Sequence, residues 1–180
     1  SRGLGDVYKR QRTHYLPKGV VGIVAPWNYP LSMSITDALP ALAAGNAVVL
    51  RPDEKSSFTC LRAVELCDEA GLPEGLLQVV LGDGPNVGGA VLEHADSVMF
   101  TGSTKTGRIV ARDAGERLKS ASLELGGKNA MYIADDADLT RAAECAQRAV
   151  FASAGQLCIS IERLVVHEKI ADEFLRRFLE

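Results

Sequence analysis

Histidine, cysteine and aromatic residues are scarce in this chain: three, four and 6% of 180 residues, with a single tryptophan. The cysteines, at 60, 67, 145 and 158, show neither CxxC spacing nor the density of a disulfide-framed fold, and three histidines do not make a metal-ligand set. Reduced thiols, no bound metal and a reducing, cytoplasmic compartment are therefore expected. No apolar run approaches the roughly 18 residues that a spanning helix needs. The longest, 20–27, is strand-sized, so no membrane span is expected. An excess of either charge sign is missing too: 20 Lys and Arg against 23 Asp and Glu leave a net charge of −3, with the basic residues scattered. That distribution argues against nucleic acid or a membrane surface as a partner. There is no internal repeat and no low-complexity stretch.

What is present suits a soluble globular protein of one domain or a little more, with 47% hydrophobic and 24% charged residues. The ends read as cut. The chain opens without Met and closes inside an amphipathic pattern, Phe174, Leu175, Phe178 and Leu179, whose apolar face is expected to want a partner from outside this sequence. Residues 6–11, DVYKRQ, read as a translated sequencing-library adapter, so 1–11 are set aside from fold reasoning. The tail 1–17 as a whole is expected to be non-native or an oligomerisation strand.

From residue 18 strands and helices alternate. Residues 19–25 (GVVGIVA) are apolar on both faces, as in a buried parallel strand, and stop at the rigid loop PWNYP, 26–30. A helix over 31–44 capped by Gly45, a strand over 46–50, a helix over 58–70 closed by Gly71 and a strand over 76–81 follow. Cys60 and Cys67, seven apart, share a helix face and read as core. Helix 86–94, strand 97–101, helix 104–118 and strand 118–125 complete a doubly wound, mostly parallel α/β sheet, a Rossmann-like domain over 18–124. A second α/β domain begins at 125, with strand 130–133, helix 139–152, a turn at Cys158, strand 164–167 and the closing helix.

Two glycine patterns imitate nucleotide-binding loops. GDGPNVG, 82–88, follows a strand and opens a helix, but Pro85 removes an N–H and no acid ends the next strand. Residues 102–107 have the glycine spacing of a phosphate loop, yet Arg108 and Ile109 stand where Lys and Ser or Thr belong. What survives is a helix start at Gly102 and Ser103, which reads either as a tight turn or as a seat for one phosphate. Cys158 is the one cysteine in a turn, since the other three lie in helical patterns. Taken alone, a single cysteine reads as a small buried hydrophobe, and Glu124 as a solvated strand end.

Four blocks in order, PWNYP at Pro26, FTGS at Phe100, ELGGK at Glu124 and GQLC at Gly155, resemble the aldehyde dehydrogenase superfamily. The likeness runs from about Thr13 to the end, and implies an internal fragment holding most of a cofactor domain and the opening of a catalytic domain. It implies NAD(P)-dependent oxidation of a small-molecule aldehyde to an acid by a full-length homo-oligomer. Cys158 would add to the carbonyl, and the Asn28 amide and the Cys158 backbone N–H would hold the oxyanion. Glu124 would activate water against the resulting thioester, from a seat that Leu123, Leu125 and Gly126 are expected to keep partly desolvated.

For the cofactor, the resemblance implies Ala25, Pro26 and Trp27 along the nucleotide, Glu54 on the adenosine ribose and Ser103 on the pyrophosphate. Gly84 and Gly88 would let the adenine lie close, and Arg51, Phe100, Thr101, Gly102, Leu125 and Gly126 join the same contact set. Arg51 and Asp37 stand where Lys is usual, and Ser153 replaces an Asn. GQLCISIERL is most similar to members acting on succinate semialdehyde, though Ala152 stands where some of those carry a carboxylate-binding Arg. Glu54 favours NAD, because a carboxylate repels the 2′-phosphate of NADP; Arg51 and Lys55 nearby pull the other way. A relative that passes its thioester to coenzyme A or reduces an acyl phosphate, and a non-catalytic protein on the same fold, are the alternatives. The presence of Asn28, Glu124 and Cys158 together argues against the last.

Overall fold

Alternation of side chains along a strand lets a central strand bury both faces, and Val20–Val24 (β1) does so. A computed structural model of the chain describes residues 14–180, so the adapter reading of 1–11 lies outside the described residues. The chain divides into two compact units. The first takes the described residues up to Phe100 with Val110–Ser122, and the second Thr101–Ile109 with Leu123–Glu180.

In the first unit β1 pairs in parallel with Ala47–Arg51 (β2) on one side and Ser97–Gly102 (β4) on the other, and Leu77–Val79 (β3) extends β2. With Ser120–Leu125 (β5) the order is β3-β2-β1-β4-β5. This is the strand order of a doubly wound nucleotide-binding sheet. Val21, Ile23 and Ala25 face one core, with Ala38, Val48, Leu50, Cys60 and Leu77. Val20 packs into the other, with Leu92, Ala95, Val98 and Ala114. Each valine, isoleucine or leucine among them, removed from water, contributes about 1.5–3 kcal/mol, and each alanine less. Burial pushes the Cys60 thiol pKa up. Cys67 packs on the same cluster from the same helix, Ser57–Glu69 (α3).

The helix expected over 31–44 is two short ones, Pro30–Ile35 (α1) and Ala38–Ala43 (α2). Pro40 is the physical reason: it has no N–H to give to the carbonyl four residues back, at Thr36, where the helix breaks. Residues 76–81 make a shorter strand than expected. The entry of β1 is fixed by side chains. Asn46 Oδ1 accepts from the backbone N–H of Lys18 at 2.6 Å and of Gly19 at 3.1 Å, and Asp96 Oδ2 from that of Val20 at 2.8 Å.

In the second unit Asn129–Ile133 (β6) pairs in parallel with Ile161–Val166 (β7). Ile133, Ala143, Ala146 and Phe174 form its core. Asp138 caps Leu139–Phe151 (α6), accepting from Thr140 N at 3.0 Å and Arg141 N at 3.1 Å. The closing helix Ala171–Leu179 (α7) corrects one expectation. Its apolar face finds its partner inside the chain: Phe174 is 2% exposed, and Phe178 stacks on both Phe151 and Phe174 at 6.1 and 5.8 Å. Only its other apolar edge, Leu175 and Leu179, stays exposed, at 54% and 73%. Hydrogen bonds from Arg176 and Arg177 pull the Glu173 carboxyl down to about 2. Among the described residues no helix is long and apolar enough to cross a membrane.

The helix Gly89–His94 (α4) lies close against β1 at Gly22, where an added Cβ would come within 2.6 Å of Val91 Cγ1 and 2.9 Å of Ala95 Cβ. Gly22→Ala is expected to destabilise the protein by about 1–3 kcal/mol through overpacking, read as a lower denaturation midpoint with an unchanged m-value; an unchanged midpoint would show that α4 yields freely.

Candidate active site

Parallel strands that end in register bring their following loops to one edge. Val24 pairs with Arg51 on β2 and with Phe100 on β4, so β1 and β2 finish level and β4 runs two residues further, to Gly102. Ala25, the residue directly after β1, is buried and gives its N–H to Arg51 O at 2.9 Å. Pro26, Trp27 and Asn28 follow, with Trp27 40% exposed and Lys55 Nζ 5.4 Å from the centroid of its ring. Such a cation over an indole face contributes about 0.5–1 kcal/mol at an exposed site.

Arg51 is the best-anchored of the expected cofactor residues. It is 6% exposed and forks onto one carbonyl, Gly82 O, from Nε at 3.0 Å and Nη2 at 2.8 Å. Its Nη2 also meets Glu54 Oε1 at 3.2 Å, and the Glu54 side chain is 60% exposed. A lysine ammonium could not make this planar double contact. Glu54 thus stands on a short turn, Glu54–Ser56, with one cationic partner and an open carboxylate face.

The structure explains both imitation loops. At 82–88 the helix start is already occupied: Asp83 accepts from Asn86 N and Asn86 Nδ2, both at 2.7 Å, which lowers its carboxyl pKa. No anion is needed there. Gly84 and Gly88 have nothing within 4 Å of an added Cβ, so their faces are bare. At 102–107 the second glycine is a packing residue: a Cβ on Gly107 would meet Leu125 Cδ2 at 2.4 Å. Thr101 and Gly102 end β4, and Ser103 precedes the helix Thr104–Glu116 (α5). Its hydroxyl accepts from Thr106 N at 3.2 Å and shares a hydrogen bond with Thr106 Oγ1 at 3.0 Å.

Glu124 departs from expectation. It is exposed, not seated among its flanking leucines. Strand alternation is the reason: in β5 Leu123 and Leu125 turn inward and are half-buried, which puts Glu124 on the opposite, open face. Gly126 is exposed beside it.

Cys158 lies on a turn of the second unit and is exposed; Cys145 is exposed too, but within α6. Three successive residues before the turn are left-handed, Ser153 at φ 51°, Ala154 at φ 56° and Gly155 at φ 73°. The helical path is therefore left at Ala152, whose ψ is 133°, before the glycine expected to break the helix. Left-handed backbone costs about 1–2 kcal/mol at each of the two non-glycine positions. After the cysteine, Ser160 N closes the turn onto Leu157 O at 3.1 Å. Asn129, unremarked in the sequence, gives its amide to Cys158 O at 2.8 Å and Ser160 O at 3.1 Å. The ELGGK and GQLC blocks thus meet through the residue five after Glu124. The signal was an amide at the foot of a strand, directly after ELGGK.

Asn28 and the cofactor residues up to Phe100 belong to the first unit, while Thr101, Gly102, Ser103, Glu124, Leu125, Gly126 and Cys158 belong to the second. A description of the aldehyde dehydrogenase family matches residues 4–180, a span that takes in most of the tail set aside above. The chain belongs to the aldehyde dehydrogenase family. A Mycolicibacterium smegmatis protein, provisionally named an NADP-dependent succinate-semialdehyde dehydrogenase, is 52% identical over 98% of this chain and 34% of its own length. The chain thus spans about a third of the curated relatives it matches. An aldehyde dehydrogenase from Bacillus cereus in an NAD+ complex is 40% identical, with a TM-score of 0.89 over 92% of this chain and 34% of that one. An Escherichia coli structure described as an NADP-dependent enzyme is 38% identical, with a TM-score of 0.89 over 91% and 34%.

Within this aldehyde dehydrogenase chain the left-handed run makes Gly155 hard to replace. Gly155→Ala is expected to cost about 1–2 kcal/mol from the backbone alone, because its Cβ would meet nothing nearer than Val150 O at 3.5 Å. Chemical denaturation measures it, and an unchanged stability would mean that the turn relaxes into another conformation.

Proposed function

We propose that the full-length protein oxidises a small-molecule aldehyde to the carboxylic acid with a nicotinamide dinucleotide, through a thioester on Cys158. The observation that carries this reading is the exposed Cys158 turn, bound by its own carbonyl to the segment that follows Glu124. The family membership and the aldehyde-oxidising names of relatives support it.

The Cys158 thiolate adds to the aldehyde carbon, and the charge on oxygen falls to two neutral donors, the Asn28 amide and the Cys158 N–H. Neutral donors stabilise developing negative charge without repelling a cation bound alongside. The nicotinamide, when bound, supplies the hydride acceptor. Glu124 then takes a proton from water as its oxygen attacks the thioester carbonyl, which releases the acid and the Cys158 thiolate. The exposed face of Glu124 leaves room for that water.

Each unit by itself holds residues suited to part of such a dinucleotide: in the first, Glu54 would offer an open carboxylate to the ribose hydroxyls, and in the second, Ser103 with the first turn of α5, a helix of 13 residues, would offer a hydroxyl and a dipole to a phosphate. The name of the Mycolicibacterium smegmatis relative makes succinate semialdehyde the first aldehyde to test.

Cys158→Ala is expected to abolish aldehyde oxidation while cofactor binding stays within about twofold; oxidation at the original rate would remove the central claim. Glu124→Gln is expected to yield one burst of reduced cofactor per site and then stall at the thioester, and steady turnover at the wild-type rate would exclude Glu124 as the deacylating base. Glu54 is proposed to favour NAD. Glu54→Ser is expected to move the ratio of kcat/KM values toward NADP by roughly tenfold, equivalent to about 1.4 kcal/mol, and an unmoved ratio would place the selection elsewhere.

A further inference from the structure

One side chain at the candidate active site has no part in the chemistry above. Asn129 opens β6, and its single amide nitrogen reaches two carbonyl oxygens, Cys158 O at 2.8 Å and Ser160 O at 3.1 Å. Both partners are carbonyl oxygens that only accept, so the Asn129 amide is the donor in both bonds. The ladder is irregular at the same place. Asn129 pairs with Ile161, but Ala130 pairs with Arg163, so Glu162 is passed over. Bulges are common next to functional turns, and Asn129, beside this one, points its donors at the Cys158 turn. Lys128 Nζ meets the passed-over Glu162 at 2.7 Å across the same gap. That pair is largely exposed and holds little by itself.

We propose that Asn129 is the positioning residue of the Cys158 turn. Holding Cys158 O fixes the peptide that follows the cysteine, and holding Ser160 O closes the far end, which Ser160 N already ties back to Leu157 O at 3.1 Å. These anchors restrain the peptide planes on both sides of the Cys158 Cα, and with them the direction of the Cys158 N–H and of the bond to Cβ. A reacting group displaced by about 1 Å loses on the order of a hundredfold in rate, so the amide acts on the reaction without touching substrate. The proposal rests on the reading of Cys158 as the nucleophile.

The experiment uses the full-length enzyme with Asn129→Asp and Asn129→Ala, following kcat against pH, the cofactor dissociation constant and the rate of Cys158 alkylation by iodoacetamide. Aspartate keeps the shape and loses the donors, and its carboxylate opposes two carbonyls. Both variants are expected to lose at least tenfold in kcat, Asp no less than Ala at neutral pH, with cofactor affinity within twofold and an altered alkylation rate. The Asp variant should recover toward wild type as pH falls, because a protonated carboxyl can again donate. Wild-type kcat in Asn129→Asp would overturn the proposal, as would a loss of cofactor binding in step with kcat. The two readings separate cleanly: an active Cys158→Ala defeats the nucleophile assignment, whereas an inactive Cys158→Ala beside a normal Asn129→Asp defeats only the positioning role.

Discussion

Strand β1 is hydrogen-bonded on both edges and buried on both faces, and the placement of the first unit's candidate residues depends on it. Its ladder with β2 and β4 sets Arg51 and Phe100 level with Val24. Its two faces feed separate cores, Val21 and Ile23 into one and Val20 into the other, and Gly22 is bare so that α4 can close on it. Asn46 and Asp96 hold the strand at its entry. A strand fixed in this way cannot slip by one residue without exchanging its two faces, which would put valine where only glycine fits. The rigid loop Pro26–Trp27–Asn28 inherits that register directly.

Arg51 extends the same order to neighbouring loops. Its fork onto Gly82 O ties the end of β2 to the loop after β3, and its contact with Glu54 orients that carboxylate. The guanidinium is nearly buried, so its charge is compensated by a carbonyl dipole and by an anion that itself stays in water. A buried cation left with neither partner would be costly.

The second unit reaches a defined turn by another route. Two non-glycine residues held left-handed before Cys158 are strained, and strain persists only where surrounding contacts outweigh it. Here those contacts come from both sides of the left-handed run: α6 packs against Phe174 and Phe178 before it, and the Asn129 amide holds the backbone after it. Local strain and remote anchoring are two parts of one device that presents a cysteine on a turn.

The kinds of element and the family were readable from the sequence. Apolar runs on both faces announced parallel strands, helical spacing set Cys60 and Cys67 on one core, and four ordered blocks carried the family and the candidate Asn28, Glu124 and Cys158. These follow from periodicity and from chemistry that a residue carries with it. The split at Thr36 was legible too, in Pro40, had its missing N–H been weighed against the apolar pattern. Contacts decided elsewhere were not legible. Flanking leucines promised Glu124 a desolvated seat, but strand alternation and the packing of Leu125 against Gly107 turned the glutamate outward. The phenylalanines of α7 looked unpartnered until α6, about thirty residues away in the chain, lay against them. Nothing in the sequence set Asn129 apart until its amide met Cys158 O and Ser160 O. A sequence pattern states which face is apolar or which group can react; which surface meets that face, and which group that side chain touches, is set by segments far apart in the chain, and only the tertiary structure brings those together.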